Sequence, residues 1–490
     1  MAKTARPGCH SLLRSVVVRG PHSQKHGAEP PAPKKTPRPS PFRKLVTVGL
    51  VLVVALGTTY VPTFEGLAED ARHALFILLL AAGLWVTEAI PAFAVSLVVF
   101  ALELLLLAGL GRHGKPYAGY LAPWANPLVW LFLGGFTISH AAARTRLDRA
   151  MADVVLRRFG ATRHGLLFGT MLVAFVLSMF MSNTAAAAML LAVIVPIADR
   201  LPEGDPLRRS LVLAVPFASN LGGMGTLIGS PPNGIAANAV AVANAKEPLD
   251  FARWALVGLP PALLLFGLTF VMLAHPVSKG AVASEPPSVS PRAERTLPRW
   301  IRVAVLVTTL VTVLAWATDA LHGVPTPVVS FLPMTVFAAI GVLGPKHVRT
   351  LGWDTLLLLS GGLALGDAVQ TTGLSRWLAA SLPLSGASPL VLALLLAYAV
   401  ALLSNVMSNT AAANVLVPIA IELGRGHEAI AAVPVAIAAS AAMCLPISTP
   451  ANAQAFATGK IVARDFLVPG IVLTLVTPPL VVAWASVVLR

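Results

Sequence analysis

An all-helical protein that crosses a membrane many times is what this sequence predicts, and three observations carry that expectation. Of its 490 residues, 56% are hydrophobic and 12% charged, and the mean hydropathy is +0.78; such a chain has too little polar surface to fold in water. Several apolar stretches approach or exceed the roughly 20 residues a helix needs to cross a ~30 Å hydrocarbon core, and no period-2 barrel pattern competes with them. Finally, a polar triplet stands twice in apolar surroundings. Residues 178–187 read SMFMSNTAAA and residues 404–413 read SNVMSNTAAA, identical at eight of ten positions.

The formal charge of +15 is concentrated at the start: ten basic residues lie in the first 44, opposed by Glu29 alone. No basic run is interleaved with aromatics in a soluble domain, so nucleic acid is not an expected partner. By the positive-inside rule, residues 1–44 form a cytoplasmic tail, and their PPAPKKTPRPSP stretch marks that tail as disordered. A signal peptide is the rival reading, but SLLRSVVV is short and broken by Arg14. Cys9 and Cys444 suggest no disulfide framework.

A lone first span at 45–61 is followed by spans at 74–90, 94–110 and 127–143. Residues 144–159, with five arginines spaced among apolar residues, read as an amphipathic helix on the cytoplasmic surface. The next apolar run, 164–200, is interrupted only by the first Ser-Asn-Thr triplet, and basic residues flank it on both sides. Its limbs of about 15 to 17 residues reach only ~22 to 26 Å, and the tip carries no charge. These features predict a re-entrant hairpin rather than a spanning pair. Residues 210–243 are apolar but interrupted by GGMGTLIGSPPNG, which cannot continue an α-helix and has no charge to mark an exterior loop. One discontinuous span is expected, with its unwound middle at the depth of the hairpin tip. A span at 251–275 and a polar cytoplasmic linker, 277–298, complete the first part, 45–276.

The part from 299 to 490 repeats this plan. FLGGFTISHAAARTRLDRAMA, from Phe132, aligns with LSGGLALGDAVQTTGLSRWLA, from Leu359; the triplets align next, and then Gly229, Ser230, Pro231 and Asn233 face Ser448, Thr449, Pro450 and Asn452. Three ordered matches at nearly one offset indicate an internal duplication. Spans at 300–318, 329–342 and 353–369 put the second hairpin, 389–423, open to the outside. The second broken helix, 430–458, descends to Lys460 and Arg464, and a last span ends outside. The copies are thus inverted, five spans plus five after the first, about 11 in all. Secondary transporters form midplane sites in this way.

The expected site holds hydroxyls and amides with no central Lys or Arg. Oxygen ligands suit a small hard cation such as sodium, and an anion can be met by helix N-termini. A dianion out of water needs more charge than partial dipoles supply, so cations binding beside it balance the charge and provide coupling. A neutral ligand and a proton as coupling ion remain open. Glu88, Asp367 and Glu422 stand singly and read as structural. No HExxH, GxSxG or clustered histidine supports a membrane-embedded enzyme, and no catalytic residue is expected.

WVTEAIP, the FLGGF span, both Ser-Asn-Thr motifs, GTLIGSPPN and LPISTPAN, in that order, resemble the divalent anion/sodium symporter family of dicarboxylate, citrate and sulfate transporters. The resemblance covers about 46 to the C-terminus. It implies a homodimer in a bacterial inner membrane, with a scaffold and a mobile transport domain moving by an elevator mechanism, and no organic cofactor. It also implies sodium symport of a small dicarboxylate of the succinate, malate or fumarate class; sulfate or citrate symport and sodium-independent exchange are the alternatives. One sodium site would use Ser178, Ser182, Asn183 and Gly229, the other Ser404, Met407, Asn409 and Ser448. Substrate carboxylates would meet Asn183, Thr184, Asn409 and Thr410, near Ser230 and Thr449. The sequence departs from the family in the alanine runs after each triplet and in Ala451, where Pro is common.

Overall fold

Helix Pro41–Tyr60 opens the structure, a computed structural model that describes residues 41–108, 115–244, 248–281, 297–381 and 387–489. Its start corrects the expected tail boundary at 44. Pro41 takes a first helical position, where its missing N–H has no intrahelical partner to lose, and Phe42, Arg43 and Lys44 continue the helix. The rest of the tail and residues 282–296 of the linker lie outside the described residues. Among the described residues the fold is helical, and the extended pairing is a single bridge between Thr162 and Ala281.

Among the described residues, six helices are long and apolar enough to cross a membrane: Pro41–Tyr60, Glu69–Thr87, Tyr117–Thr145, Phe251–Ala274, Arg299–Ala317 and Arg464–Val488. The span expected at 94–110 is Ala92–Leu102 continued by a π-helical turn, Glu103–Leu107. The one expected at 329–342 forms two pieces, Thr326–Val329 and Phe331–Ala339. Pro333 has no N–H to give the Val329 carbonyl, which accounts for the interruption. Leu50 and Val53 on the first helix, and Leu306, Leu310 and Leu314 on Arg299–Ala317, stand exposed as faces that lipid tails would cover.

Two short helices lead into the hairpins, Leu147–Phe159 and Leu374–Ser381. Each follows a sharp corner at a left-handed residue, Arg146 with φ 59° and Gly373 with φ 79°. These positions are equivalent in the duplicated sequence. Glycine adopts the corner freely, whereas a side chain there costs roughly 1–2 kcal/mol.

The first hairpin consists of Arg163–Ser178 and Asn183–Ala198, 16 residues each; the second consists of Pro389–Ser404 and Asn409–Leu423, 16 and 15 residues. At 1.5 Å per residue these limbs are about 22 to 24 Å long, shorter than a ~30 Å hydrocarbon core. The first broken helix runs Pro206–Met224 and Pro231–Ala243; the second runs Glu428–Ser440 and Pro450–Ala457. The first half of each packs on the hairpin of its own repeat. The second halves cross over: Pro231–Ala243 packs on Asn409–Leu423 and Glu428–Ser440, and Pro450–Ala457 packs on Asn183–Ala198 and Pro206–Met224. Phe251–Ala274 and Arg464–Val488 flank this group and touch each other.

The aligned glycine pairs explain how the remaining helices approach it. A Cβ on Gly134 would meet Ser330 and one on Gly361 would meet Ser96, while Gly135 faces Ile228 and Gly362 faces Asn414. In both repeats, then, the first glycine admits a neighbouring span and the second admits the hairpin and broken-helix group. Gly222 admits backbone rather than side chain, since a Cβ there would strike the Phe175 carbonyl. Gly222→Ala should destabilise the protein by about 1–3 kcal/mol. A lowered melting temperature of the purified protein in detergent is the expected outcome, and an unchanged one would contradict this packing.

Candidate functional site

The first broken helix stops among Gly222, Gly223 and Gly225 and the second ahead of Pro446, and the carbonyls released at each break need donors inside an apolar protein. One asparagine per repeat provides them. Asn233 Nδ2 donates to the Gly223 and Thr226 carbonyls at 2.8 and 2.7 Å. At the equivalent position Asn452 Nδ2 donates to the Leu445 carbonyl at 3.0 Å and to that of Met443 at 3.4 Å. Both asparagines are fully buried. The Pro-Asn pairs of the two motifs are therefore internal braces that hold the unwound segments in shape.

The hairpin tips are built alike. Ser182 and Ser408 cap the returning limbs, accepting from the Ala185 and Ala411 N–H groups at 3.2 Å. Ser178 Oγ lies 2.6 Å from the inward amide atom of Asn183, and Ser404 Oγ donates to Asn409 Oδ1 at 2.7 Å. Each tip is thus closed by the same serine-to-asparagine bond across the turn.

Around Asn183 an oxygen cluster forms. Its inward amide atom lies 2.6 Å from Ser178 Oγ and 3.3 Å from each of the Gly229 and Ser219 carbonyls. With the amide nitrogen inward, Asn183 donates to these oxygens; with the oxygen inward, four oxygens converge in an arrangement that a cation would hold together. A Cβ on Gly223 would stand 2.5 Å from Asn183 Oδ1, so the glycine keeps the cradle open. This donor set fits a small hard cation such as sodium. In the second repeat Ser404 Oγ also lies 2.9 Å from the Ala439 carbonyl, whereas Ser448 Oγ donates to the Asn405 carbonyl at 3.1 Å.

The dipeptides Gly229-Ser230 and Ser448-Thr449 join the two halves. Gly229 lies against its own hairpin, while the next residue, Ser230, places Oγ 3.1 Å from Ser440 Oγ in the other repeat. Ser448 bonds the tip of the second hairpin, and Thr449 Oγ1 accepts from Asn220 Nδ2 of the first repeat at 3.1 Å. Consecutive Cα atoms are 3.8 Å apart, so the two hairpin tips meet one compact region from opposite repeats. Four helix N-termini, after Ser182, Ser230, Ser408 and Thr449, belong to it. None of these residues is charged, and N–H groups at helix starts favour an anion.

Most of the residues singled out in the sequence come together here. Ser178, Asn183 and Gly229 share one cluster, Ser404 and Asn409 share a bond, and Thr184 and Thr410 occupy the first turns behind the caps. Ser182 is exposed and its Oγ serves as a cap; Met407 is buried in the second turn. Sequence reasoning missed Asn220, which is fully buried and places its amide oxygen 3.1 Å from the outer amide atom of Asn183. The available signal was a Ser-Asn pair in an apolar helix just before the glycines. Asp367 is ion-paired with Lys115 at 2.6 Å, Glu422 with Arg425 at 2.5 Å, and Glu88 is an exposed helix end, so the structure gives each a structural setting away from these tips.

Short inward-capped hairpins and broken helices with crossed halves define an all-helical membrane transporter fold. A family model described as "Citrate transporter" matches residues 82–442 and again 313–490. The sodium-dependent dicarboxylate transporter SdcS of Staphylococcus saprophyticus is 32% identical over 451 residues, covering 84% of this chain and 86% of that protein. The protein of the same name from Staphylococcus aureus is 29% identical over 485 residues, covering 91% and 92%. Two solved structures share the fold at a TM-score of 0.50. The Alcanivorax borkumensis YdaH transporter has 14% identity, with 86% of this chain and 98% of that chain covered; Neisseria gonorrhoeae MtrF has 13%, with 93% and 95% covered. The chain belongs to the divalent anion/sodium symporter family.

Asn452→Ala removes a buried donor from two carbonyls and should cost about 1–3 kcal/mol for each group left unpaired. The expected result is a clear fall in melting temperature, with Asn233→Ala matching it; full stability in both would show that the breaks need no brace.

Proposed function

We propose that this protein is a sodium-coupled symporter of small dicarboxylates of the succinate, malate or fumarate class. The observation that carries the proposal is the uncharged oxygen cluster at Ser178, Asn183 and Gly229, set beside four helix N-termini whose N-cap residues, Ser182, Ser230, Ser408 and Thr449, are uncharged. Each N-terminus presents about half an elementary charge, spread over unpaired N–H groups, and this offsets only part of a dianion's desolvation. Sodium ions bound beside the substrate supply the remaining charge. Neither ligand is then well accommodated without the other, and one ion gradient can drive accumulation of the anion. Support also comes from relatives named sodium-dependent dicarboxylate transporters.

In this reading Ser178, Ser182, Asn183 and Gly229 hold one sodium ion, and Ser404, Met407 through its carbonyl, Asn409 and Ser448 hold another. The substrate carboxylates meet Asn183, Thr184, Asn409 and Thr410, with Ser230 and Thr449 beside them. The chain has about 11 spans in inverted repeats of five after the first, its N-terminus in the cytoplasm and its C-terminus outside a bacterial inner membrane. Two copies form a homodimer, and the hairpins with the broken helices move as one body against the glycine-paired spans. The short limbs support that picture, because limbs of 15 and 16 residues are too short to cross a ~30 Å hydrocarbon core.

The test is uptake of labelled succinate, citrate and sulfate into proteoliposomes, with an inward sodium gradient compared against choline. Succinate should accumulate with sodium; accumulation of none of the three by folded protein would refute the proposal, and accumulation only of citrate or sulfate would reassign the substrate. Thr184→Val and Thr410→Val remove a hydroxyl bonded to a charged group, worth about 1.5–3 kcal/mol, and should each weaken apparent succinate affinity at least about tenfold. Unchanged affinity in both would leave the triplet threonines with a packing role alone.

A further inference from the structure

Resting on the symport reading, we propose that Asn220 is a positioning residue that transmits the state of the cation cluster in the first repeat to the Thr449 hydroxyl of the second. Asn220 lies on Pro206–Met224, fully buried, between Asn183 and Thr449. Its amide oxygen lies 3.1 Å from the outer amide atom of Asn183, and its own Nδ2 donates to Thr449 Oγ1 at 3.1 Å, with Asn452 Oδ1 at 3.4 Å.

A primary amide has a donor end and an acceptor end, so in a chain of amides the orientation of one dictates that of the next. When a cation holds Asn183 Oδ1 inward, Nδ2 of Asn183 points at Asn220, and Nδ2 of Asn220 points at Thr449. Thr449 Oγ1 then accepts from Asn220 and from the Asn452 N–H at 3.1 Å. A hydroxyl has two acceptor positions and one proton. With both acceptor positions filled, the proton is left to donate to a carboxylate.

Without the cation, Asn183 satisfies the inward oxygens by turning its nitrogen to Ser178, Gly229 and Ser219, and its oxygen then faces Asn220 at 3.1 Å. Asn220 must answer with its nitrogen. Its oxygen swings to Thr449, which gives its proton to Asn220 and none to the substrate. Asn452 does not follow, because its Nδ2 is held by the Leu445 carbonyl at 3.0 Å. Its Oδ1 therefore opposes the Asn220 oxygen in the reversed state and biases the chain towards the ready one.

The second repeat has a shorter counterpart, Ser440 opposite Ser230 at 3.1 Å. Among the described residues no hydrogen bond joins Asn409 to Ser440, so this amide relay serves one cation cluster only.

The test uses full-length protein in detergent. Sodium binding is read from sodium-dependent thermal stabilisation without substrate, and succinate affinity is read by calorimetry in saturating sodium and in choline. In the wild type, sodium should tighten succinate binding at least about tenfold. In Asn220→Ser, whose hydroxyl is too short to span the gap, that gain should fall to about twofold or less while the sodium midpoint moves by less than about threefold. Thr449→Val should lose the gain likewise, Thr449→Ser should keep it, and Asn220→Ser added to Thr449→Val should change nothing further. A wild type indifferent to sodium would remove the symport reading and the relay with it. An intact gain in folded Asn220→Ser, or additive losses in the double variant, would overturn the relay alone. Should Asn220→Ser not fold, a gain surviving in Thr449→Val would overturn it equally.

Discussion

Backbone polar groups without helical partners, enclosed in apolar protein, are the constraint on which the rest of this structure depends. A helix that stops inside a membrane protein exposes carbonyls on one side of the break and N–H groups on the other. Here the carbonyls are taken up by Asn233 and Asn452, whose amides reach back across the break. Some of the N–H groups on the other side are taken up by the Ser182, Ser408 and Thr449 caps. Because the carbonyls are answered from within, the unwound segments can be rigid without water, and Gly229 and Ser448 can be held against the hairpin tips.

The helical class, the hairpins and the broken helices were legible because each leaves a mark in composition or spacing. An apolar run too short for two crossings, with an uncharged tip, has few other solutions; the Gly- and Pro-rich stretch 222–234 states where the first broken helix cannot continue, and its alignment with 441–452 carries that break to the second repeat. The second hairpin's limits, 389 and 423, coincide with the helix ends. The interruption at Ser330 was less visible because Pro333 sits near a helix start, where proline is often tolerated. The tail boundary was misplaced for a related reason: basic residues marked charge, and Arg43 and Lys44 are charged residues inside the first helix.

The turn bonds of the candidate site were legible in the triplets, and the contacts around them less so. Ser178 and Asn183, or Ser404 and Asn409, lie five residues apart across a tight turn, so one local motif fixes each bond. Asn220 meets Thr449 from the other repeat, 229 positions along the chain. Such a contact depends on the crossing of the broken halves, which no local pattern encodes. The duplication pointed to two equivalent half-sites, yet their details differ: Asn220 reaches across in one, and the shorter Ser440 in the other.

That crossing has a consequence for what the duplication achieved. Neither repeat assembles a complete half-site, because the second half of each broken helix packs on the other repeat's hairpin. Gly229 and Ser448 face their own tips, and the residues immediately following them, Ser230 and Thr449, face the opposite repeat. A shift of either hairpin therefore acts at once on the oxygens beside it and, one residue further along, on the hydroxyl bonded across the repeats. Within a single backbone step, the groups suited to a cation and those suited to an anion are mechanically joined. Coupling between two ligands thus requires no long-range pathway, only that the second halves of the broken helices remain exchanged.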